Sequence, residues 1–592
     1  MPSKVEGWKD EVYGVEIRDH LERFAEEGGF DAIPEDEHDA WFERFKWWGL
    51  YHQRSGQEGN FMMRVGVPMG RLTPEQLRVV GEIAREYASG PVENPAFGDA
   101  WADFTTRQSI QLHWIQIEDV PAIFDRLDEV GLSTIQACGD SWRNIVGSPV
   151  AGRDADEHLD VWPLVQELNG EFKGNPAHAN LPRKWKVSVT GDTRGAGQGD
   201  INDLAFEPAT KERDGETVDG FNVRVGGGLA RKEPRFARDL DVFCTPEEMT
   251  TVAAGVSALF RDHGDRENRF NARVKFLVDE WGAEKFRDVL QEEYVDYELP
   301  TAGEDLRHEY DYNAGRTDAP GDYVGIHEQN DAEKRFVGLS VLTGRMGAEE
   351  VIELADRAAE YGSELVGLTQ RQNVVVADID ESEVDAFLDD PLFEDYSPDP
   401  HPFMRGSIAC TGTEFCGLAI TETKNRMVRY ARWLKENVAL PDGVEEFHIH
   451  LSGCTASCAQ PQIADVSLRG MKTRKDGDPV EAFDIGLGGG LGEDPQFAEW
   501  VEMRVAADEV PGYVENLLST YEAEREEREA GVESFREFVT RVSETDGEDG
   551  LKGLAEPMDT SYDDPMMHNT KQAWYPYDPE TMPGDSAAPS DD

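Results

Sequence analysis

Two stretches of the chain carry the same pattern of apolar and polar positions. FMMRVGVPMGRLTPEQLRVVGEIAREY (61–87), followed by FTTRQSIQLHWIQI (104–117), resembles RFVGLSVLTGRMGAEEVIELADRAAEY (335–361), followed by GLTQRQNVVVADI (367–379). Each reads as strand, helix, strand. In the first, Thr73 before Pro74 and Glu75 marks a helix start, and Leu77, Val80, Ala84 and Tyr87 form a helical stripe. Ile110, Leu112 and Trp114 alternate with Gln111 and His113, the period of a returning strand. A second repeat aligns without a gap at an offset of 262: WKVSVTG (185–191) with FHIHLSG (447–453), INDLAF (201–206) with IADVSL (463–468), and FNVRVGGGL (221–229) with FDIGLGGGL (483–491). The chain is therefore expected to be two related halves, each a small ferredoxin-like unit followed by a larger α+β unit.

The halves differ where chemistry is expected. Lys184 and Lys186 align with Glu446 and His448, so only the first half has a Lys-x-Lys pair, and on a strand both lysines leave one face. Adjacent ammonium groups repel unless an anion or water receives them. Arg107, in TTRQSIQLHW, and Arg143, in ACGDSWRNIVGSPVAG, extend the group, and a guanidinium fork suits a small oxyanion. Each of the four could instead serve an ordinary ion pair or a solvated face.

Cys454 and Cys458 align with Asp192 and Ala196, so only the second half carries the clustered cysteines. The chain has six, and four fall in two pairs, Cys410-x5-Cys416 and Cys454-x3-Cys458. The first pair is wider than a structural zinc knuckle uses, whereas a cubane iron–sulfur cluster takes four thiolates without that restriction. Buried packing thiols are the bland alternative, but they do not account for two pairs set among Gly and Thr. Cys244 reads as a core residue. Cys138 opens the loop carrying Arg143 and reads as the first-half counterpart of Cys410, near any cofactor.

With 592 residues the chain exceeds one core, and about three to five domains of ~100–200 residues are expected. There are 120 acidic and 58 basic residues, a net charge of −62, yet 13 Trp, 27 Phe and 16 Tyr lie within regular apolar patterns, which argues against disorder. Dispersed acids at this density indicate adaptation to high salt, where a Debye length of ~3 Å at 1 M screens self-repulsion. No basic stripe interleaved with aromatics is present, so nucleic acid is not an expected partner. The N-terminus, MPSKVEGWKDEVYG, lacks the apolar core of a secretory signal, and no run approaches the ~20 apolar residues that span a bilayer. A cytoplasmic protein is expected. GAGQG (195–199) lacks dinucleotide spacing, so no nicotinamide or flavin module is expected, and Gly226 to Gly228 and Gly488 to Gly490 read as sites of close backbone packing or contact with a macrocycle.

The C-x5-C and C-x3-C pairs, TTRQ-x-IQLH, CGDS-x-RN-x-x-GSPVAG, LPRKWK and the two GGGL segments together resemble the sirohaem and [4Fe-4S] assimilatory nitrite and sulfite reductases, in that family's order, from about Phe45 to about Val542. The resemblance implies a monomeric core with a pseudo-twofold axis and sirohaem between the halves. It implies that Cys410, Cys416, Cys454 and Cys458 hold the cubane, with Cys458 also bridging to the sirohaem iron. Arg107, Arg143, Lys184 and Lys186 would line the substrate face. Arg64, Arg371, Gln372, Lys424, Asn425, Gln460 and Arg469 are candidates to receive the sirohaem carboxylates. The implied reaction is six-electron reduction of sulfite to sulfide or nitrite to ammonia, with ferredoxin as external donor, and the lysine pair leans slightly towards sulfite. The competing class is an iron–sulfur protein that transfers electrons or senses redox state without catalysis.

The expected organisation is an N-terminal helical wrapping segment (1–55), a first ferredoxin-like half-domain (56–130), a sirohaem- and anion-binding α+β domain (131–325), a second half-domain (326–395), a cluster- and sirohaem-binding α+β domain (396–545) and an acidic, Pro-rich tail (546–592).

Overall fold

The computed structural model describes residues 3–94, 97–192, 195–213, 215–230, 233–303, 321–492, 494–528, 531–558 and 560–567. Thr73 starts the first repeat's helix, Pro74–Tyr87, as expected: its hydroxyl accepts from Gln76 N at 3.2 Å, and its own N–H donates to Gln76 Oε1 at 2.8 Å. Leu77, Val80 and Ala84 are buried and Tyr87 is half-buried. They meet the equivalent helix of the second half, Ala348–Glu360, so closely that a Cβ on Gly81 would fall 2.8 Å from Ile352 Cγ1.

The two ferredoxin-like units are not independent. The short strand Arg71–Leu72 of the first pairs with Val366–Leu368 of the second, and Arg345–Gly347 of the second pairs with Gly98–Phe104 of the first. Each sheet thus borrows a strand, and a single core runs through both, joining Leu77 and Val80 to Val351 and Leu354. The helices Ile17–Glu27 and His38–Phe45 add Leu21, Phe24 and Phe45 to the same core.

The larger units carry the 262-residue duplication into three dimensions. Val187–Val189 lies parallel to Leu204–Arg213 with Val187 opposite Leu204, and Ile449–Ser452 lies parallel to Val466–Lys475 with Ile449 opposite Val466. The next antiparallel pairs match as well, Leu204 with Val225 and Val466 with Leu487. The bridges Val146 to Ser188 and Ile408 to His450 keep the same offset, so Ser148 occupies the position of Cys410. This corrects the expectation that Cys138 is that counterpart: Cys138 lies upstream, buried, with Arg64 Nη1 3.0 Å from its sulfur. Cys244 is a core residue, its thiol raised by burial.

The glycine pairs serve backbone packing. A Cβ on Gly227 would fall 2.5 Å from the Asn202 carbonyl oxygen, and one on Gly489 2.4 Å from that of Gln462. Beyond the helix Phe535–Lys552 the chain packs back: Tyr562, Met566 and Met567 are buried, and Asp564 accepts from Arg426 Nε at 2.8 Å. The remainder of the expected tail, 568–592, lies outside the described residues. No helix among the described residues is long and apolar enough to cross a membrane.

Candidate functional site

The two larger units meet around an apolar knot of symmetry-related residues, Ile201 with Ile463 and Leu229 with Leu491, capped by Phe236 stacked on Phe497 at 3.8 Å. Beside it the two turns that begin with Thr105 and Thr369 are built alike. Thr105 Oγ1 accepts from Arg107 N and Ser109 N, and Thr369 Oγ1 from Arg371 N and Asn373 N, at 3.1 to 3.3 Å. Gln108 and Gln372 adopt left-handed φ values of 54° and 65°. These tight turns set Arg107 and Arg371 at equivalent positions in the two halves.

On the second-half side, Cys410 follows the strand Ser407–Ala409, Cys416 follows the turn Gly412–Glu414, and Cys454 and Cys458 lie on the loop after Ile449–Ser452. The loops are laced together: Gly453 N donates to Cys410 Sγ at 3.2 Å and Ile420 N to Gly453 O at 2.7 Å. Burial, then the neighbouring Cys458 and Cys454, push the Cys410 thiol up to about 12, so these sulfurs need a cationic centre to stand together as thiolates.

On the first-half side stands a cationic group. Arg107 donates to Asn202 Oδ1 at 2.8 Å and to the Asn144 carbonyl at 2.6 Å, while its Nε is buried without a hydrogen-bond partner. Burial, then Arg143, lower its pKa to about 9. Arg143 is buried and fixed by the Gly139 and Ala137 carbonyls at 2.8 to 3.2 Å. Lys184 and Lys186 flank Trp185, whose buried ring stacks on Phe260 at 5.2 Å, so both lysines leave the opposite face. Burial, then Arg273 and Arg143, bring Lys184 to about 7, and burial, Arg107 and Lys184 lower Lys186 further. The four expected anion-site residues thus feel one another.

The cysteine loop and the cationic group are in contact. Thr106 Oγ1, on the Arg107 turn, donates to the Cys458 carbonyl at 2.9 Å. The Cys458 sulfur lies close enough to Cys410, Arg64 and Lys184 to bear on all three.

The seven expected cofactor contacts divide. Arg64 faces the site, and Arg371 keeps a buried Nη2 with no hydrogen-bond partner, its Nη1 3.5 Å from His450 Nε2. The other five have protein partners of their own, as Arg64 has in the Ala137 carbonyl and Cys138. Gln372 donates to Phe104 O at 3.0 Å and accepts from Ala409 N at 3.2 Å. Lys424 donates to Thr343 O, Asn425 donates to Glu422 and accepts from Asn94, and Gln460 donates to Gln198. Arg469 pairs with Asp484 at 2.8 Å and lies over Trp500 at 4.0 Å.

Two cations were not anticipated. Arg273 holds Asp203 Oδ1 at 2.7 Å against the Gly228 backbone, and Lys173 is brought to about 7 by burial, then Arg143 and Arg107. The alternation Arg273, Lys275 was a readable signal of the first; a single lysine after the helix Trp162–Phe172 offered none for the second. Buried cations with incomplete hydrogen bonding, including Arg107 Nε and Arg371 Nη2, fit a polyanionic cofactor, and the cysteine quartet fits an iron–sulfur cluster.

Known proteins match the chain along most of its length. The nitrite and sulphite reductase 4Fe-4S domain matches residues 138–298 and 401–545, and the nitrite/sulfite reductase ferredoxin-like half domain matches 52–93, 96–130 and 327–393. An assimilatory ferredoxin-dependent nitrite reductase of Haloferax mediterranei is 51% identical over 592 residues, covering 100% of this chain and 99% of that one. A ferredoxin–nitrite reductase of Synechococcus elongatus is 37% identical, over 87% of this chain and 96% of its own. The solved structure of the Mycobacterium tuberculosis NirA protein superposes with a TM-score of 0.81 at 31% identity, over 93% of this chain and 98% of that one. The chain belongs to the nitrite and sulphite reductase family, with two ferredoxin-like half-domains, two larger α+β units, and sirohaem and a [4Fe-4S] cluster as its cofactors.

Proposed function

We propose that this protein reduces nitrite to ammonia with six electrons drawn from ferredoxin. The observation that carries the reading is the contact between the Cys458 loop and the cationic group of Arg107, Arg143, Lys184 and Lys186. When bound, sirohaem supplies an iron that coordinates the anion, and the cluster supplies electrons singly. Arg107 and Arg143, fixed by carbonyls and Asn202, offset the charge of the anion without moving, as donors in an oxyanion hole do. Lys184, close to half-protonated near neutrality, is suited to hold and release a proton at Nζ as oxygen leaves as water. Cys458 would help to hold the cluster on the side that faces the cationic group, since its sulfur acts on Cys410, Arg64 and Lys184.

The lysine pair by itself leans towards sulfite. Both curated relatives described above are named nitrite reductases, and that outweighs the lean. Steady-state assays with a chemically reduced low-potential donor test the choice: kcat/KM for nitrite should exceed that for sulfite at least tenfold, and the reverse order would overturn it. A purified protein with only a broad iron–sulfur absorption, lacking sirohaem's Soret and red bands, would return the non-catalytic reading to favour.

A further inference from the structure

The position that carries the lysine pair in the first half is rebuilt with opposite polarity in the second. The strand registers confirm that Glu446 and His448 stand where Lys184 and Lys186 stand. Asp322, from the segment that precedes the second half-domain, joins them, and one donor atom from each of Asp322, Glu446 and His448 lies within 4.8 Å of the others. Asp322 and His448 are buried.

His448 is oriented from behind. Its Nδ1 lies 3.2 Å from Asp465 Oδ2, and in the tautomer that donates there, Nε2 presents its lone pair to the cluster. Nε2 is buried, has no hydrogen-bond partner and stands 3.7 Å from Glu446 Oε2. A carboxylate behind an imidazole whose other nitrogen faces two carboxylates is the supporting arrangement typical of a metal-binding histidine.

We propose that Asp322, Glu446 and His448 hold a divalent cation of the zinc or manganese class, with water completing its coordination. One imidazole and two carboxylates suit that class. Arg405 belongs to the argument: its Nε lies 2.7 Å from Asp322 Oδ2 and its Nη2 3.2 Å from Glu446 Oε1. It orients both carboxylates, and with Asp465 and Arg371 also close by, three carboxylates against two guanidinium groups leave one net negative charge, which still attracts a divalent ion but moderates its affinity. Such an ion would tie the segment that ends at Val324 to the strand Ile449–Ser452, which leads into the Cys454 loop. The duplicated framework would then receive an anion in one half and a cation in the other.

The holoprotein, dialysed against a chelator and titrated with Mn²⁺ or Zn²⁺, tests this. One saturable ion per chain is expected, with E446Q and H448Q each weakening it at least about tenfold while the visible absorption stays unchanged. Mn²⁺ should also raise the thermal midpoint of the wild type and not that of the isosteric E446Q, so the test survives if H448Q does not fold. Equal affinity in wild type and E446Q, or no saturable site, would overturn the proposal and leave His448 as a structural side chain between Asp465 and Glu446.

Discussion

Gln460 donates from Nε2 to Gln198 Oε1 at 2.8 Å, and these residues are the same residue of the two halves, 262 positions apart. Both adopt left-handed conformations, with φ of 50° and 55°, and each leads into a short 3-10 turn, Gly199–Ile201 and Pro461–Ile463. The pseudo-twofold axis therefore passes between two glutamine side chains. Replacing Gln198 with Ala leaves the Gln460 amide buried without its acceptor, and a loss of about 1–3 kcal/mol in unfolding free energy is expected. Denaturant titration measures it; a change under about 0.5 kcal/mol would show that the contact carries no weight.

The pH dependence of the anion site follows from Lys184. Its pKa in the native state is about 7 against an ordinary 10.5, with burial as the leading cause. Between those values the unfolded chain holds more protons than the folded one, so the cofactor-free protein should gain stability as pH rises through that window. Nitrite binding should run the other way, because the anion needs the ammonium form, which falls about tenfold for each pH unit above the pKa. KM for nitrite is expected to rise above about pH 7 by up to tenfold per unit, and K184M should flatten that slope. A flat wild-type profile would remove Lys184 from anion binding.

Arg345 is fully buried between Asp103, at 2.7 Å, and Glu414, at 2.9 Å. Burial opposes ionisation of Asp103, but Arg345 and then Lys424 prevail and hold its carboxyl far below the usual range. R345M would strand two buried carboxylates, at an expected cost of about 3–5 kcal/mol. Because Glu414 sits on the loop between Cys410 and Cys416, iron content should fall with stability. Full iron content and an unshifted thermal midpoint in R345M would refute the link.

Docking of ferredoxin should respond to salt in an unusual direction. With a net charge of −62, this protein repels any acidic carrier at low ionic strength, and screening removes that barrier. The association constant is expected to rise as salt is added. A steep monotonic loss across the titration would be the contrary result.

The duplication and the clustering of the cysteines were legible because each rests on short spacings or on one constant offset. The strand exchange was not: Arg71–Leu72 is two residues long and has no periodicity to read. Nor was the partner of Asp103, which lies on Arg345 in the other half. The directions of Gln372 and Lys424 depend on a left-handed turn and on the position of Thr343 O, neither of which composition reveals. Cys138 was misaligned because no ungapped match covers the loop between it and Ser148.

The exchanged strands also constrain the order of events at birth. Gly98–Phe104 leaves the ribosome early, yet its neighbour Arg345–Gly347 exists only after the whole first larger unit has been made. Neither small sheet can close its edge before the other has been synthesised, so the nascent chain carries an incomplete edge through much of translation. Contacts this distant in sequence also slow refolding. A protein assembled this way is committed to fold as one object, because separating its two halves would strip an edge strand from each small sheet.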